Sequence, residues 1–342
     1  MLIPRVPGEP PVPGEPKVPQ EPPVPVQLLD FIRNGKKFLI AGHKEPDGDC
    51  VGSQIALASV LRRMGKEAVL CSAGPFKRVE IEKYEELFSC APDVDGSENV
   101  IIVDCSSPDR TGDLEIRLGG LPTAIIDHHE VNQHQPFGEY AAYYVDAHAP
   151  ATTYMIMKLV SVLGLELTGE EAEILFFGLS TDTGFFRHVD ETGARTFEAA
   201  ADLIHKGANP KLCFRAIYGG KSLDSRRLMG HVLVKAESFF DGKLVVSSEE
   251  YEETSRFGLE GRDSDALYQL LQSVAGVEAI VLIRQETPEK CTVGLRSLSW
   301  VDVRVIAESF GGGGHKNAAG FALEATISEL KQKILKSFEN VF

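Results

Sequence analysis

Long apolar runs are what this sequence most clearly lacks. No stretch approaches the ~20 consecutive residues that cross a bilayer, so no membrane partner is expected. The N-terminus also lacks the charged, apolar, small-residue order of a signal peptide. Paired cysteines are missing too. Cys50, Cys71, Cys90, Cys105, Cys213 and Cys291 are scattered with no CxxC spacing, which argues against a disulfide scaffold or zinc ribbon. Reduced, mostly buried thiols and a cytoplasmic location are expected instead. Basic charge is short: Lys and Arg number 35 against 50 Asp and Glu, a net −15. Duplex nucleic acid needs many Lys/Arg–phosphate contacts, so a duplex DNA partner is not expected. A short nucleotide, or a polyanion held locally by metals and a few arginines, is compatible with this charge.

What is present is a chain of 342 residues, 43% hydrophobic, enough for two domains with separate cores. Residues 1–26 form a Pro/Gly/Glu/Val tract in which Val-Pro-Gly-Glu-Pro occurs twice, and an extended, mobile tail is expected. From residue 27, apolar runs alternate with 3.6-residue periodicity. Strands are expected over 37–41, 68–72, 99–104 and 123–127, with a helix over 52–64. Such alternation predicts a mainly parallel sheet covered on both faces, an α/β domain over 27–218. Helices are then expected over 151–163, 169–180, 192–206 and 210–218, and a helical linker over 219–240. A smaller α/β unit over 241–342 follows, with strands over 243–248, 278–285 and 291–295 and helices over 263–273, 301–310 and 327–342.

The chemistry gathers where the first-domain strands end. The 37–41 strand runs into His43, Asp47 and Asp49, spaced by Pro and Gly. The 99–104 strand ends at Asp104, and the 123–127 strand ends in Asp127-His128-His129. The 169–180 helix runs into Asp182. A solvated Asp/Gly turn accounts for any one of these exits, but four elements delivering Asp or His to positions a sheet brings together define a site. Oxygen-rich donors with imidazole and no thiolate suit Mn²⁺, with Mg²⁺ as second choice. Their number suits two ions sharing a carboxylate, as in two-metal phosphatases and nucleases. In the second domain, Phe310-Gly-Gly-Gly-Gly-His315 reads as a loop whose bare N–H groups receive an oxyanion, and Arg296-Ser297 suits phosphate. Arg110 is a weaker phosphate candidate.

His43-x-x-x-Asp47-x-Asp49, Asp104, Asp127-His128-His129 and Asp182 together resemble the motif series of the DHH phosphoesterase superfamily. The Gly-Gly-Gly-Gly-His315-x-x-Ala-Ala-Gly run with Leu295-Arg296-Ser297 resembles the DHHA1 domain that follows it. Cys50 departs from the Ala more usual at its position. The length and the DHHA1 ending resemble the nanoRNase type, which implies hydrolysis of short oligoribonucleotides, linear dinucleotides and 3′-phosphoadenosine 5′-phosphate, and a homodimer. The resemblance assigns His43 and Asp47 to a first ion, with Asp49, His128 and Asp182 at a second and Asp104 bridging. It places Asp127 behind an imidazole and His129 towards substrate with Asp104 as the catalytic pair. Arg296, Ser297, Gly313, Gly314 and His315 would hold the terminal nucleotide. The rivals are a manganese pyrophosphatase or short-chain polyphosphatase, and a nucleotide sensor that has lost its chemistry.

Overall fold

A computed structural model describes residues 21–129, 140–258 and 262–342; the Pro-rich expectation for residues 1–20 lies outside them. The chain divides between Gly219 and Gly220 into two compact units. Among the described residues, no helix is long and apolar enough to cross a membrane.

The first unit is built on five strands, β1 (Lys37–Ala41), β2 (Glu67–Cys71), β3 (Asn99–Val103), β4 (Thr123–Asp127) and β5 (Ala142–Val145). They pair in the order β2-β1-β3-β4-β5, every pair parallel. Its helices are α1 (Val26–Asn34), α2 (Gly48–Arg63), α3 (Val79–Glu82), α4 (Leu114–Leu118), α5 (Thr152–Val162), α6 (Gly169–Asp182), α7 (Ala194–His205) and α8 (Pro210–Tyr218). Alternate strand residues point to opposite faces, and the core divides accordingly. Phe38, Ile40, Ile101, Val103, Ala124 and Ile126 pack beneath α1, α2, α5 and α6. Leu39, Ala41, Val100, Ile102 and Ile125 meet Leu114 and Leu118 of α4 on the other face. Full burial of each Leu, Ile or Phe contributes about 1.5–3 kcal/mol, so both faces hold the sheet in register. This is the parallel α/β arrangement expected from the alternation.

The tail expectation ends earlier than residue 26. The Glu21 carboxylate is held by Lys158 at 3.0 Å and Arg195 at 3.4 Å and by the Tyr154 hydroxyl, so residues 21–25 are tied to the folded unit. Helix α2 begins at residue 48, not 52, because Asp47 caps it: its Oδ1 accepts the N–H groups of Asp49 and Cys50, both at 3.1 Å. Helix α6 runs through Asp182, which places that carboxylate in the last turn rather than beyond it.

The second unit is a smaller α/β body. Its helices are α9 (Leu223–Val234), α10 (Tyr251–Phe257), α11 (Ser264–Gln272), α12 (Val303–Ser309) and α13 (Ile327–Phe338). Its strands are β6 (Glu237–Phe239), β7 (Leu244–Glu249), β8 (Ala279–Thr287), β9 (Lys290–Ser297), β10 (Gly313–His315) and β11 (Ala318–Glu324). The sheet runs β10-β11-β9-β8-β7-β6, with β7–β8 the parallel pair and its other pairs antiparallel. Helix α9, expected as part of a connector, packs Leu228, Met229 and Val232 against Val245, Ile280 and Leu282 of this sheet. Strand β6 also belongs to the sheet rather than to a linker.

The glycine run differs most from expectation. Instead of an open loop, Gly313–His315 pair antiparallel with residues 318–320. Glycine weakens strands, which hid this one in the sequence, but close packing requires it here. A Cβ on Gly314 would lie 2.5 Å from the Ala318 carbonyl oxygen, and its φ is +143°.

Candidate metal centre

The sheet order contains a switch point. From β1 the chain turns to β2 on one side, while β3 begins on the other. The carboxyl ends of strands flanking such a point leave a crevice in which open α/β sheets bind ligands. His43 follows β1, Asp104 follows β3 and the Asp127–His129 triplet ends β4. Asp49 enters from the first turn of α2 and Asp182 from the last turn of α6. Close helix packing makes this convergence possible. A Cβ on Gly178 of α6 would lie 2.4 Å from Thr153 Cγ2 and 3.2 Å from the Asp49 Cα.

Asp104 sits at the middle. His43 Nε2 is 3.5 Å from its Oδ2, while His128 Nε2 is 3.6 Å and His129 Nδ1 3.9 Å from its Oδ1. His128 Nε2 also lies 3.6 Å from Asp182 and 3.9 Å from Asp49, and His43 Nε2 lies 3.9 Å from Asp47. The structure therefore brings together His43, Asp47, Asp49, Asp104, His128 and Asp182, with His129 alongside. Asp104 holds φ at +61°, a left-handed conformation that L-residues adopt at a cost of about 1–2 kcal/mol. Such strain is characteristic of functional positions.

Every imidazole is oriented through Nδ1. His43 Nδ1 lies 2.9 Å from the Lys44 carbonyl, His128 Nδ1 3.3 Å from that of Ala149, and His129 Nδ1 2.8 Å from Asp127 Oδ1. A carbonyl or carboxylate only accepts, so Nδ1 carries a proton in each of these rings, and in His43 and His128 Nε2 is the atom turned towards the carboxylates. Asp127, fully buried, accepts from the Ser106 hydroxyl and from the His129 backbone N–H at 3.2 Å. The imidazole it orients is thus that of His129, the exposed one, and not that of His128.

Several supporting residues escaped the sequence reading. Thr152 donates its N–H to Asp49 at 2.6 Å and its hydroxyl to Asp104 at 2.9 Å. Thr153 gives Asp49 its N–H at 2.9 Å and its hydroxyl at 2.6 Å. Asp49 thus lies at the N-terminus of α5, where free N–H groups favour an anion. The adjacent threonines opening a helix were the available signal; the Ala149 carbonyl and Ser106 carried none.

The electrostatics call for a cation. Burial and the Asp49 charge push the Asp104 carboxyl well above the usual range. Burial, Asp49 and Asp47 push Asp182 to about 8. Burial opposes charge on Asp47, yet the neighbouring His43 imidazole and the Cys50 backbone N–H hold it below the usual range. His128 Nε2 is buried without a hydrogen-bond partner, which is costly unless something accepts its lone pair. Donor triads Asp104/His128/His129 and Asp49/His128/Asp182 each have ligand atoms within 4.8 Å of one another. The residues present fit divalent cations in number, charge and donor type.

In the second unit, Arg296 leaves β9 with its guanidinium 4.5 Å from the centre of the Tyr268 ring. His315, Gly313 and Gly314 are exposed on β10. Ser297 is buried, and its hydroxyl lies 3.5 Å from the Lys316 carbonyl, so it braces the hairpin start. Arg110 is exposed on a 3₁₀ turn, and its carbonyl accepts the Lys44 N–H at 2.8 Å.

This is a phosphoester hydrolase, and the chain belongs to the DHH family. The DHH family N-terminal domain matches residues 37–179 and the DHHA1 domain residues 241–342. The chain is 32% identical over 300 residues to the bifunctional oligoribonuclease and PAP phosphatase NrnA of Thermus thermophilus, covering 87% of this chain and 88% of that protein. Its identity to NrnA of Bacillus subtilis is 26% over 294 residues, 82% of this chain and 87% of the relative. It is also 27% identical to the cyclic-di-AMP phosphodiesterase PdeA of Listeria monocytogenes, covering 91% of this chain but 49% of that longer protein. An exopolyphosphatase-related protein from Bacteroides fragilis shares the fold, with a TM-score of 0.75 at 22% identity over 92% of this chain and 96% of that one.

Proposed function

We propose that the chain hydrolyses short oligoribonucleotides and linear dinucleotides such as pApA and pGpG to mononucleotides, and 3′-phosphoadenosine 5′-phosphate to AMP, with two divalent cations. The observation that carries this reading is that the His43 and His128 imidazoles meet at Asp104, with Asp47, Asp49 and Asp182 within 3.9 Å of those two rings and the buried Nε2 of His128 left without a hydrogen-bond partner. The substrate class is supported by the descriptions of the two NrnA relatives and by an acidic chain unsuited to long duplexes. His43, Asp47 and Asp104 would hold one cation; Asp49, Asp104, His128 and Asp182 would hold the other. Hard oxygen donors with imidazole favour Mn²⁺, then Mg²⁺. When bound, these ions supply Lewis-acid charge to the phosphoryl group and acidify the attacking water.

The chain's own residues do the rest. Thr152, Thr153 and the α5 N-terminus lock Asp49, and Thr152 locks Asp104, so the carboxylates need no reorganisation as charge develops. Asp127 accepts the His129 Nδ1–H and orients the ring, and a protonated His129 Nε2 would then donate to the leaving oxygen or to a phosphoryl oxygen. On the second unit, Arg296, His315 and the exposed N–H groups of Gly313 and Gly314 are assigned to the terminal nucleotide, with Ser297 bracing their hairpin. Six free thiols fit a reducing compartment, and we place the protein in the cytoplasm.

The test is a hydrolysis panel with added Mn²⁺ or Mg²⁺ on a short RNA, pApA, pGpG, 3′-phosphoadenosine 5′-phosphate and pyrophosphate. Release of mononucleotides from RNA and pApA, lost in Asp104→Asn, is the expected result. Orthophosphate from pyrophosphate with no nucleotide hydrolysis would instead identify a pyrophosphatase. Nucleotide binding without turnover would identify a sensor.

A further inference from the structure

Cys50 takes no part in the chemistry above, yet it is placed as though it should. It lies in the first turn of α2, one residue after Asp49, and is fully buried. Its surroundings are not those of a small apolar filler. One donor atom from each of His43, Cys50 and Asp104 lies within 4.8 Å of the other two, so the sulfur shares its space with an imidazole and a carboxylate. The backbone makes room for it. A Cβ on Gly42 would sit 2.2 Å from the Cys50 Sγ, so a side chain directly before His43 is incompatible with a sulfur there.

The contact behind the sulfur leaves it free to bind. The Gln54 amide nitrogen is 3.4 Å from Sγ. Turned over, the amide donates to the Ile40 carbonyl at 2.9 Å and the Cys71 carbonyl at 3.0 Å. Its oxygen then faces Cys50. In that arrangement the sulfur lone pairs remain available on the side of His43 and Asp104. His43 is oriented for the same task, because its Nδ1 is used by the Lys44 carbonyl and its Nε2 faces Asp104.

We infer that Cys50 Sγ is a donor to the cation held by His43 and Asp104, giving that position a mixed nitrogen, oxygen and sulfur set that takes soft divalent ions such as Zn²⁺ or Cd²⁺. The inference rests on the metal-centre reading and adds to it an asymmetry. The donor group Asp49, His128 and Asp182 contains no sulfur and keeps its preference for hard ions. Thiolate ligands select soft metals, whereas carboxylates suit Mg²⁺ and Mn²⁺. As the sulfur–cation bond forms, the thiol proton leaves to solvent and no electrons are transferred.

The experiment titrates Cd²⁺ into the metal-stripped full chain. Ultraviolet absorption reads thiolate-to-cadmium charge transfer, and equilibrium dialysis reads bound cadmium. Wild type, Cys50→Ala, Cys50→Ser and Cys90→Ser are compared, the last removing the exposed thiol. The expected result is a charge-transfer band in wild type and Cys90→Ser that is absent from both Cys50 variants. Cadmium affinity of those variants should fall at least about tenfold, with a much smaller change for Mn²⁺. Circular dichroism identifies which variants are folded, and Cys50→Ser keeps nearly the wild-type volume should Cys50→Ala not fold. Cadmium bound to wild type without the band overturns this inference and leaves the metal centre standing. A band that persists in either Cys50 variant overturns it as well. If wild type binds no cadmium, this inference fails, and the metal-centre reading fails with it only if manganese is not bound in the same dialysis.

Discussion

At the scale of single residues, the site is governed by which nitrogen of each imidazole is already used. An Nδ1 proton committed to a carbonyl or to Asp127 leaves Nε2 as the working atom. Asp127 does this for His129, so its loss should misorient a proton-exchanging group without removing a cation ligand. Asp127→Asn is expected to lower kcat on pApA about 10- to 100-fold. His129→Ala should cost at least about a hundredfold. Both should retain bound manganese, measured by elemental analysis after dialysis. If Asp127→Asn emptied the centre, its role would lie with the cations and not with His129.

At the scale of elements, the centre depends on α2 and α6 staying together, since they carry Asp49 and Asp182. Glu171, almost fully buried in α6, closes a capping box with Thr168 and binds across to α2. Arg63 reaches it with Nε at 3.0 Å and Nη2 at 2.9 Å, and the Ser59 hydroxyl adds a contact at 2.7 Å. Arg63→Ala leaves that carboxylate short of donors and should cost about 1–3 kcal/mol, read as a shift in the urea midpoint. Elements also mark how much could be read from the chain alone. The exits of β1, β3 and β4 were legible because an apolar run followed by a carboxylate or imidazole is a local pattern. So were α5 to α8, from their periodicity. The roles of Thr152, Thr153 and the Ala149 carbonyl were not, because they act through backbone groups that every residue carries. The β10–β11 hairpin was hidden for a related reason: its glycines are chosen for close contact across the pair, and a single strand does not display its partner.

At the scale of the whole molecule, two units with separate cores should respond separately to substitution. In the second, Glu278 just before β8 gathers the segment that leaves β9. It accepts the N–H groups of Ser299, Trp300 and Val301 at 3.1, 2.8 and 3.1 Å, and the Ser299 hydroxyl at 2.7 Å. Burial opposes its charge, but these donors hold its carboxyl below the ordinary value of 4.5. With the folded value depressed, the stability it contributes is complete above 4.5 and is lost as pH falls through the folded value. Glu278→Gln should therefore destabilise the second unit by about 1–3 kcal/mol at neutral pH and flatten its acid sensitivity. Hydrogen exchange resolved by residue would show protection lost in β8 and β9 while β1 and β3 are unchanged.

The proposed cation ligands are spread over most of the first unit, from His43 to Asp182. His43, Asp47 and Asp49 are neighbours in sequence, but Asp104, His128 and Asp182 are far from them in an unfolded chain, so a complete cation site exists only once β1, β3, β4, α2 and α6 have found their places. Folding and loading are then a single linked equilibrium. Without cations the fold bears the mutual repulsion of its own carboxylates. With them it gains about 2.7 kcal/mol per site at a hundredfold excess over the dissociation constant. A chelator should lower the melting temperature of the first unit by an amount that grows with the logarithm of the free Mn²⁺ it removes. On this proposal the centre would act as a thermodynamic clasp on the first unit, with supply of the ion setting how much of that unit is folded.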